Sequence, residues 1–523
     1  MSQSAIFRLV QQDERFDAFF TGSDYLRQRL AKIRAERTAL AADAKQKGLP
    51  AVNVQPTFRD LENSHAVYVH TTYRPFVSMA CEYVRVSPHG SAAVLSSSPG
   101  SASFTFPIYG HFISDMVLRV RLDAVGTQTP VVIGDGVVPP NPSPYYRFCA
   151  YPGIRLLTST RFKSDEVLVD EYTRDDVLFA NQFRIPADRR AAWDRGMGQA
   201  ELRQAEYQIP PGFTGVTGYR DGLQSLKFYH PPRDLWVPLQ FFMCEDPANA
   251  LLNDLIPNTQ RVISMDFAPI GEIVKAVDQQ TFEDIALPIQ KLGMRLELYV
   301  NNIFVNPEVH DIFASRMAMT LIRIHRQQRR ILTDTVGKIA LDQLKFPAEY
   351  LYIGVRDLAN KASFDHWHLF GRERDVAEAE ALHMPIAFWN PAVGACQLSC
   401  RPATDTATLE PLLDSFTLSA RGIDLYPEEL PSSFFNTYTP QRYFDKTLIV
   451  APRDLSAYFV PFCVHPGQRD PSGYYNASIN RSMYFRYTSD KISANFQAEL
   501  VISMSALNFL VCNGDKTTLR YAV

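Results

Sequence analysis

The sequence predicts an all-β chain: two β domains in tandem, short inserted helices and a helical arm at the N-terminus. Three observations carry this reading. The 523 residues exceed one ordinary domain and suit two large ones. The composition, with 34 Phe, 24 Tyr and 35 Pro within a 46% hydrophobic chain, favours strands joined by Pro-punctuated loops. Beyond residue 50, several segments alternate apolar and polar side chains with a period of two.

The arm comes first. From Ser23 to Lys47 the apolar spacing is helical: Leu26, Leu30, Ile33 and Leu40 share a face, Ser23 or Asp24 caps the start, and Gly48 with Pro50 ends it. The other face carries Arg27, Arg29, Lys32, Arg34 and Arg37. Residues 1–50 therefore read as an amphipathic element that packs on its own domain or docks on a partner or an anionic surface. Its candidate interaction residues are Leu26, Arg27, Leu30, Ile33, Arg34, Arg37 and Leu40.

The strands follow. In "MVLRVRL", Leu118, Val120 and Leu122 point one way and Arg119 and Arg121 the other. In "RLELYVNNIFV", Leu296, Leu298 and Val300 share a side. In "TLIRIHR", Thr320, Ile322 and Ile324 oppose Arg323 and His325. "ALNFLV" and "KTTLRYAV" flank an Asn513-Gly514 turn and predict a C-terminal hairpin. Residues 88–103 and 126–144, rich in Ser, Gly and Pro, read as loops.

A strand–helix–strand order recurs. It runs through "LWVPLQFFMC", "EDPANALLNDLIP" and "QRVISMDF", then through "DSFTLSARGIDL", "YPEELPSSFFNTY" and "KTLIVAP". This places two similar domains at 51–283 and 284–523, each large enough for an eight-stranded jelly roll.

Charge and cysteines narrow the function. A net charge of −3, from 53 Lys+Arg against 56 Asp+Glu, argues against a coat for nucleic acid. Seven scattered cysteines, most in apolar runs, read as free thiols of a reducing compartment. Cys396 and Cys400 lack a second pair at zinc spacing. No cleavable signal pattern and no run of 18 apolar residues is legible. The sequons at Asn476 and Asn480 read as coincidental without a secretory route.

No phosphate loop, HExxH or GxSxG motif occurs. His310, in the helix-like "NPEVHDIFASR", reads as a helix-surface residue. The one cluster with chemical potential is "SFDHWHLFGRER", with Asp365, His366, Trp367 and His368. On a strand, His366 and His368 would share a face and suit a metal, as in cupin-type jelly rolls. Such a site also needs a Glu and a third histidine. Glu373, His383 and His465 stand in no recognisable second motif. The cluster sits in a loop-like stretch, where such residues satisfy backbone and stack on neighbours. We expect a structural role and no metal.

Several segments resemble the major capsid proteins of African swine fever virus-like (asfarvirus-related) nucleocytoplasmic large DNA viruses. The most specific is "LELYVNNIFVNPEVHDIFASRMAMTLIRIHR" at 296–326. "YRPF" at 73–76, "FPIYGHFISDMV" at 106–117, "CAYPGIRL" at 149–156, "FPAEYLYIGVR" at 346–356, "HWHLFG" at 366–371, "LSARGIDL" at 418–425 and the C-terminal "SMSALNFLVCNGDKTTLRYAV" follow in order.

The resemblance implies a tandem double jelly roll whose homotrimers form pseudo-hexagonal capsomers of an icosahedral shell over an inner membrane. The arm would lie at the base. The implied partners are the chain itself, neighbouring capsomers, minor capsid and penton proteins, inner membrane-associated viral proteins and a viral folding chaperone, with no direct nucleic acid. The resemblance implies a virion component assembled in the host cytoplasm, no enzyme and no cofactor. The chain is shorter than the animal-virus member, with loops reduced. Loops 88–103 and 126–144 are candidate outward towers or trimer locks. Two alternatives remain at this point: a double jelly-roll scaffold that shapes the viral membrane, and a jelly-roll metal-dependent enzyme or sugar binder using His366 and His368.

Overall fold

The computed structural model describes residues 23–48, 50, 53–56, 79–89, 94–106, 109–126, 144–164, 166–199, 229–253, 260–277, 284–305, 310–311, 314, 319–364, 366–373, 387–390, 395–398, 409–426, 430–443, 449–468, 470–478, 483–513 and 516–521. They fall in two compact units, Met1–Ser78 and Met79–Val523.

The first unit holds helix α1, Ser23–Gln46. Gly48 follows at φ 64°, a left-handed conformation in which a helix ends without a Cβ clash. Leu30, Ile33, Arg37 and Ala41 are half-buried and Ala44 is buried, at steps of three and four. The expected stripe ran through Leu40, but Leu40 is 58% exposed. At about 100° per residue it stands at the margin of the face, which Ala41 and Ala44 complete. Arg37, expected on the basic face, is half-buried and donates to the Gln55 carbonyl at 2.9 Å, while Arg34 stays exposed. The side chains of Leu26 and Arg27 lie outside the described ones.

The second unit is built on β1 (Met79–Val86), β2 (Gly100–Thr105), β3 (Phe112–Leu122), β4 (Leu157–Ser164), β5 (Val167–Thr173), β6 (Arg233–Pro238), β7 (Arg261–Phe267) and β8 (Lys291–Val305). Then come β9 (Met319–Leu332), β10 (Val336–Ala340), β11 (Pro347–Asp357), β12 (Ser415–Ala420), β13 (Ile423–Asp424), β14 (Ala457–Pro461), β15 (Met483–Thr488), β16 (Ala498–Asn513) and β17 (Lys516–Leu519). The first eight form sheets ordered β1-β8-β3-β6 and β2-β7-β4-β5. The next eight repeat both orders, β9-β16-β11-β14 and β10-β15-β12-β13. All these neighbours are antiparallel. The fold is the expected tandem double jelly roll.

Alternation places the side chains as read. Leu118, Val120 and Leu122 of β3 and Leu298 and Val300 of β8 are buried, with Arg121 and Arg295 outside. β16 and β17 pair from Leu510↔Leu519 to Asn513↔Lys516, the expected hairpin. Short helices sit in the connections, among them α2 (Pro152–Leu156), α3 (Arg174–Phe183), α4 (Ala187–Gly196) and α5 (Leu358–Ala362).

Three expectations are corrected. The boundary at 283/284 falls one strand early, because β8 turns back to pair with β1 and β3 in the first roll; the rolls meet between Val305 and Met319. The duplication is real, but the expected pairing of its segments was wrong. "LWVP" lies in β6, whose counterpart by sheet order is β14, whereas "SFTLSA" is β12. The register of the repeat is visible elsewhere, where Met79 pairs with Val305 and Met319 with Val511. Finally, residues 88–103 are not one loop. Val94–Ser96 pairs with β8, and β2 begins at Gly100. Most of 126–144 lies outside the described residues.

Candidate functional site

The chemistry-bearing side chains converge on the seam between the rolls, within the second unit. The first roll reaches across with α3, which leaves β5 at Thr173. The Thr173 N–H donates to Asp176 at 2.7 Å, an N-terminal reciprocal bond that fixes where the helix starts. Phe179 then stacks on Tyr352 of β11 (5.6 Å, 17°) and on Phe370 (5.0 Å, 13°), and Phe183 stacks on Tyr352 (4.9 Å, 17°). Gly354 makes room, since a Cβ there would run into the Phe370 and Phe179 rings. These rings join the two cores into one apolar cluster.

Charged residues surround the stack. Asp175 pairs with Arg356 at 2.6 Å and Arg329 at 2.7 Å. Burial alone would push its pKa up; the two guanidiniums outweigh burial and hold it below the usual carboxylate range. Asp176 accepts from Ser503. Burial pushes its pKa up, despite His325 and that hydroxyl. His325 of β9 meets Asp170 of β5 through both Nδ1 (3.0 Å) and its backbone N–H (2.8 Å). Burial opposes the imidazolium, but Asp170 prevails and raises its pKa. Arg184, beyond α3, binds Glu245 and the Tyr350 and Tyr352 hydroxyls. Arg323 of β9, expected opposite the apolar side, is buried and pairs with Glu349 at 2.7 Å.

The Asp-His-Trp-His segment is the matching strut from the second roll. Residues 366–368 form a bend and turn after α5 rather than a strand, so the two imidazoles do not share a strand face. Trp367 donates from Nε1 to the Ala150 carbonyl at 2.9 Å and lies under Arg155, whose guanidinium is 5.2 Å from the ring. Arg155 also donates to the Phe364 carbonyl at 2.7 Å. His368 is buried edge-on to Tyr151 at 5.3 Å. The His366 N–H donates to Ser363 at 3.2 Å. Asp454 caps the strut, accepting from the Phe370 and Gly371 N–H groups. His465 belongs to another loop, bonded to Ser472. Asp365, His383 and the Glu373 side chain lie outside the described residues. Among the described residues no three His, Cys, Asp or Glu side chains group as metal ligands.

Cys81, Cys149, Cys244 and Cys463 form no disulfide. Burial pushes the Cys244 and Cys463 thiols up to about 12. Cys400 and the Cys396 side chain lie outside the described ones.

The first roll's β1-β8-β3-β6 sheet has no such cover on its outer face among the described residues. Arg85, Glu297, Arg119 and Asp234 run across it as linked ion pairs at 3.1–3.2 Å. Trp236 and Tyr299 pack together beside them at 5.7 Å. Met79 is 62% exposed, Tyr83 53% and Trp236 41%.

No protein-family model matches the chain. Among curated proteins it is 26% identical to the major capsid protein of African swine fever virus (Warthog/Namibia isolate), and 25% identical to the hexon protein p72 of the Tick/Malawi isolate. Both alignments cover all of this chain and all of the relative. Among solved structures, the Faustovirus major capsid protein matches with TM-score 0.68 at 22% identity, over 95% of this chain and 99% of that one. The PBCV-1 virus capsid protein matches with TM-score 0.61 at 18% identity, over 87% and 100%. With its tandem double jelly roll and a likeness that spans the whole length in sequence and nearly all of it in fold, the chain is a homologue of the African swine fever virus major capsid proteins.

Proposed function

We propose that this chain is a major capsid protein that self-assembles into pseudo-hexagonal homotrimers, and that these capsomers build the icosahedral outer shell of a large DNA virus. One observation supports the trimer above the others. Within the chain, β5 and α3 of roll 1 cover the outer face of roll 2's β9-β16-β11-β14 sheet. Roll 2's counterparts of β5 and α3 are β13 and the helical stretch 432–443, and Ile423 is 70%, Leu425 37% and Tyr438 51% exposed there. A second copy that seats these residues on the open β1-β8-β3-β6 face repeats the internal seam. Such a head-to-tail contact propagates until it closes, and six rolls close with three chains. The contact belongs to the obligate class, burying more than about 2,000 Å².

Sedimentation should find the purified chain at three times its monomer mass. Ile423→Asp and Trp236→Asp should each yield folded monomers with unchanged circular dichroism. A native chain that stays monomeric overturns the reading.

The shell also needs contacts beyond the trimer. The exposed cations Arg29, Lys32 and Arg34 of α1 suit minor capsid and penton proteins or membrane-associated viral proteins at the base of the capsomer. Deleting residues 1–50 should leave a trimer that no longer recruits them. In this reading the protein resides in the virion, is assembled in the host cytoplasm, and acts as building material rather than as an enzyme.

A further inference from the structure

We propose that the seam between the rolls binds one small monovalent anion of the chloride class, in a cavity where α3 and α4 of the first roll meet the strut and the loop before β14 of the second. The cavity measures about 20 Å³, which admits a water-sized occupant and excludes a polyatomic oxyanion. Asn181 and Gln182, near the end of α3, stand on its wall and are only 2% and 7% exposed. Each has its side-chain oxygen engaged. Asn181 Oδ1 accepts from Trp193 Nε1 at 2.8 Å, and Gln182 Oε1 accepts from the Arg453 and Asp454 N–H groups at 3.0 and 3.2 Å. Those bonds fix which end of each carboxamide is nitrogen. The two side chains therefore have their NH₂ ends left to offer, and neither NH₂ has a partner among the described residues. Buried donors in this position call for an acceptor.

The other wall groups lean the same way. Arg190 of α4, 9% exposed, donates to the Asn181 carbonyl at 2.8 Å and to the Tyr151 hydroxyl at 3.4 Å. His368 of the strut carries an N–H in every tautomer. The acidic groups are engaged: Asp194 lies 3.4 Å from Arg190 Nε, and Asp454 accepts from the N–H groups of Phe370, Gly371 and Ser456. The charges of Arg190 and Arg453 offset those of Asp194 and Asp454, so the amide dipoles set the sign of the site. Water suits it less well. It must hand on two protons of its own, and the side-chain oxygens of Tyr151, Asp454, Asn181 and Gln182 already accept from protein donors. A halide accepts from every side and donates nothing. Held there, it ties the end of α3, and α4 with it, to the second roll. The site is independent of the capsid reading.

Urea unfolding of the full-length protein in rising chloride tests this, with ionic strength held constant by gluconate, which is too large for the cavity. Above the dissociation constant the folding equilibrium constant should rise about tenfold for each tenfold in chloride, and bromide should act likewise. Asn181→Asp keeps the oxygen that Trp193 needs and replaces the donor by a second acceptor, so the dependence should vanish. Gln182→Glu makes the same exchange at the next position. Crystals of the native protein grown in bromide give a reading that needs no variant: anomalous density should stand beside the Asn181 and Gln182 amide nitrogens. Native stability indifferent to chloride, a chloride response undiminished in the folded variants, or crystals with no bromide in that cavity each overturn the proposal.

Discussion

The two equivalent sheets, β1-β8-β3-β6 and β9-β16-β11-β14, share one topology and differ in what touches their outer faces. In the first, β3, the counterpart of β11, alternates buried and partly exposed side chains, as a strand with one wet face must. In the second, all but the first residue of β11 are buried, because α3 and the strut after α5 cover it. Topology alone, then, does not decide burial. The same sheet order is covered in one roll and, among the described residues, open in the other.

Breaking the covered wall should have the largest effect. Phe179→Ala removes a ring stacked on both Tyr352 and Phe370, and should cost about 3–5 kcal/mol in chemical denaturation. Asp175→Ala strands Arg356 in the interior without its partner and should cost a similar 3–5 kcal/mol or so, roughly the loss seen when one member of a buried pair is removed. If either variant unfolds like the native chain, the seam is not what unites the rolls.

The seam should also carry a pH signature. The folded-state pKa of His325 lies above its ordinary value of 6.5, so its contribution is complete below 6.5 and is lost as pH rises through the higher folded value. Asp176, also raised, acts with the same sign in a lower window, above the ordinary 3.8. Thermal midpoints measured toward alkaline pH should therefore decline, and His325→Gln should flatten that decline. The smallest effect belongs to the open wall. Arg119→Ala should leave the midpoint of a monomeric variant unchanged, because its partners are solvated, yet weaken the oligomer in sedimentation.

Much of the fold is legible because alternation is clean where only one face is buried, as in β3. The helix boundaries of α1 and the terminal hairpin are likewise set by local signals at Gly48 and Asn513-Gly514. The domain boundary is not, because β8 joins its sheet through long-range pairing that no local pattern records. The seam escapes for a different reason: Asp175, Asp176 and Arg356 look like ordinary helix and strand polars. A signal is available in "PAEYLYIGVRD", which lacks alternation and so reads as a strand buried on both sides. The loop-like setting of the histidine pair points to its structural use, but the ring that His368 braces, Tyr151 of the other roll, lies far away in sequence.

The position of β8 and β16 inside their sheets, rather than at an edge, governs how the polypeptide emerges from a ribosome. Each closes the main sheet of its roll, yet each must slot between two neighbours made long before. Nascent β1 and β3 must wait, with their flanks unzipped, until residue 305 clears the exit tunnel, and β9 and β11 until residue 513 does. A prematurely terminated chain is thus left with raw strand edges, the state most prone to aggregate.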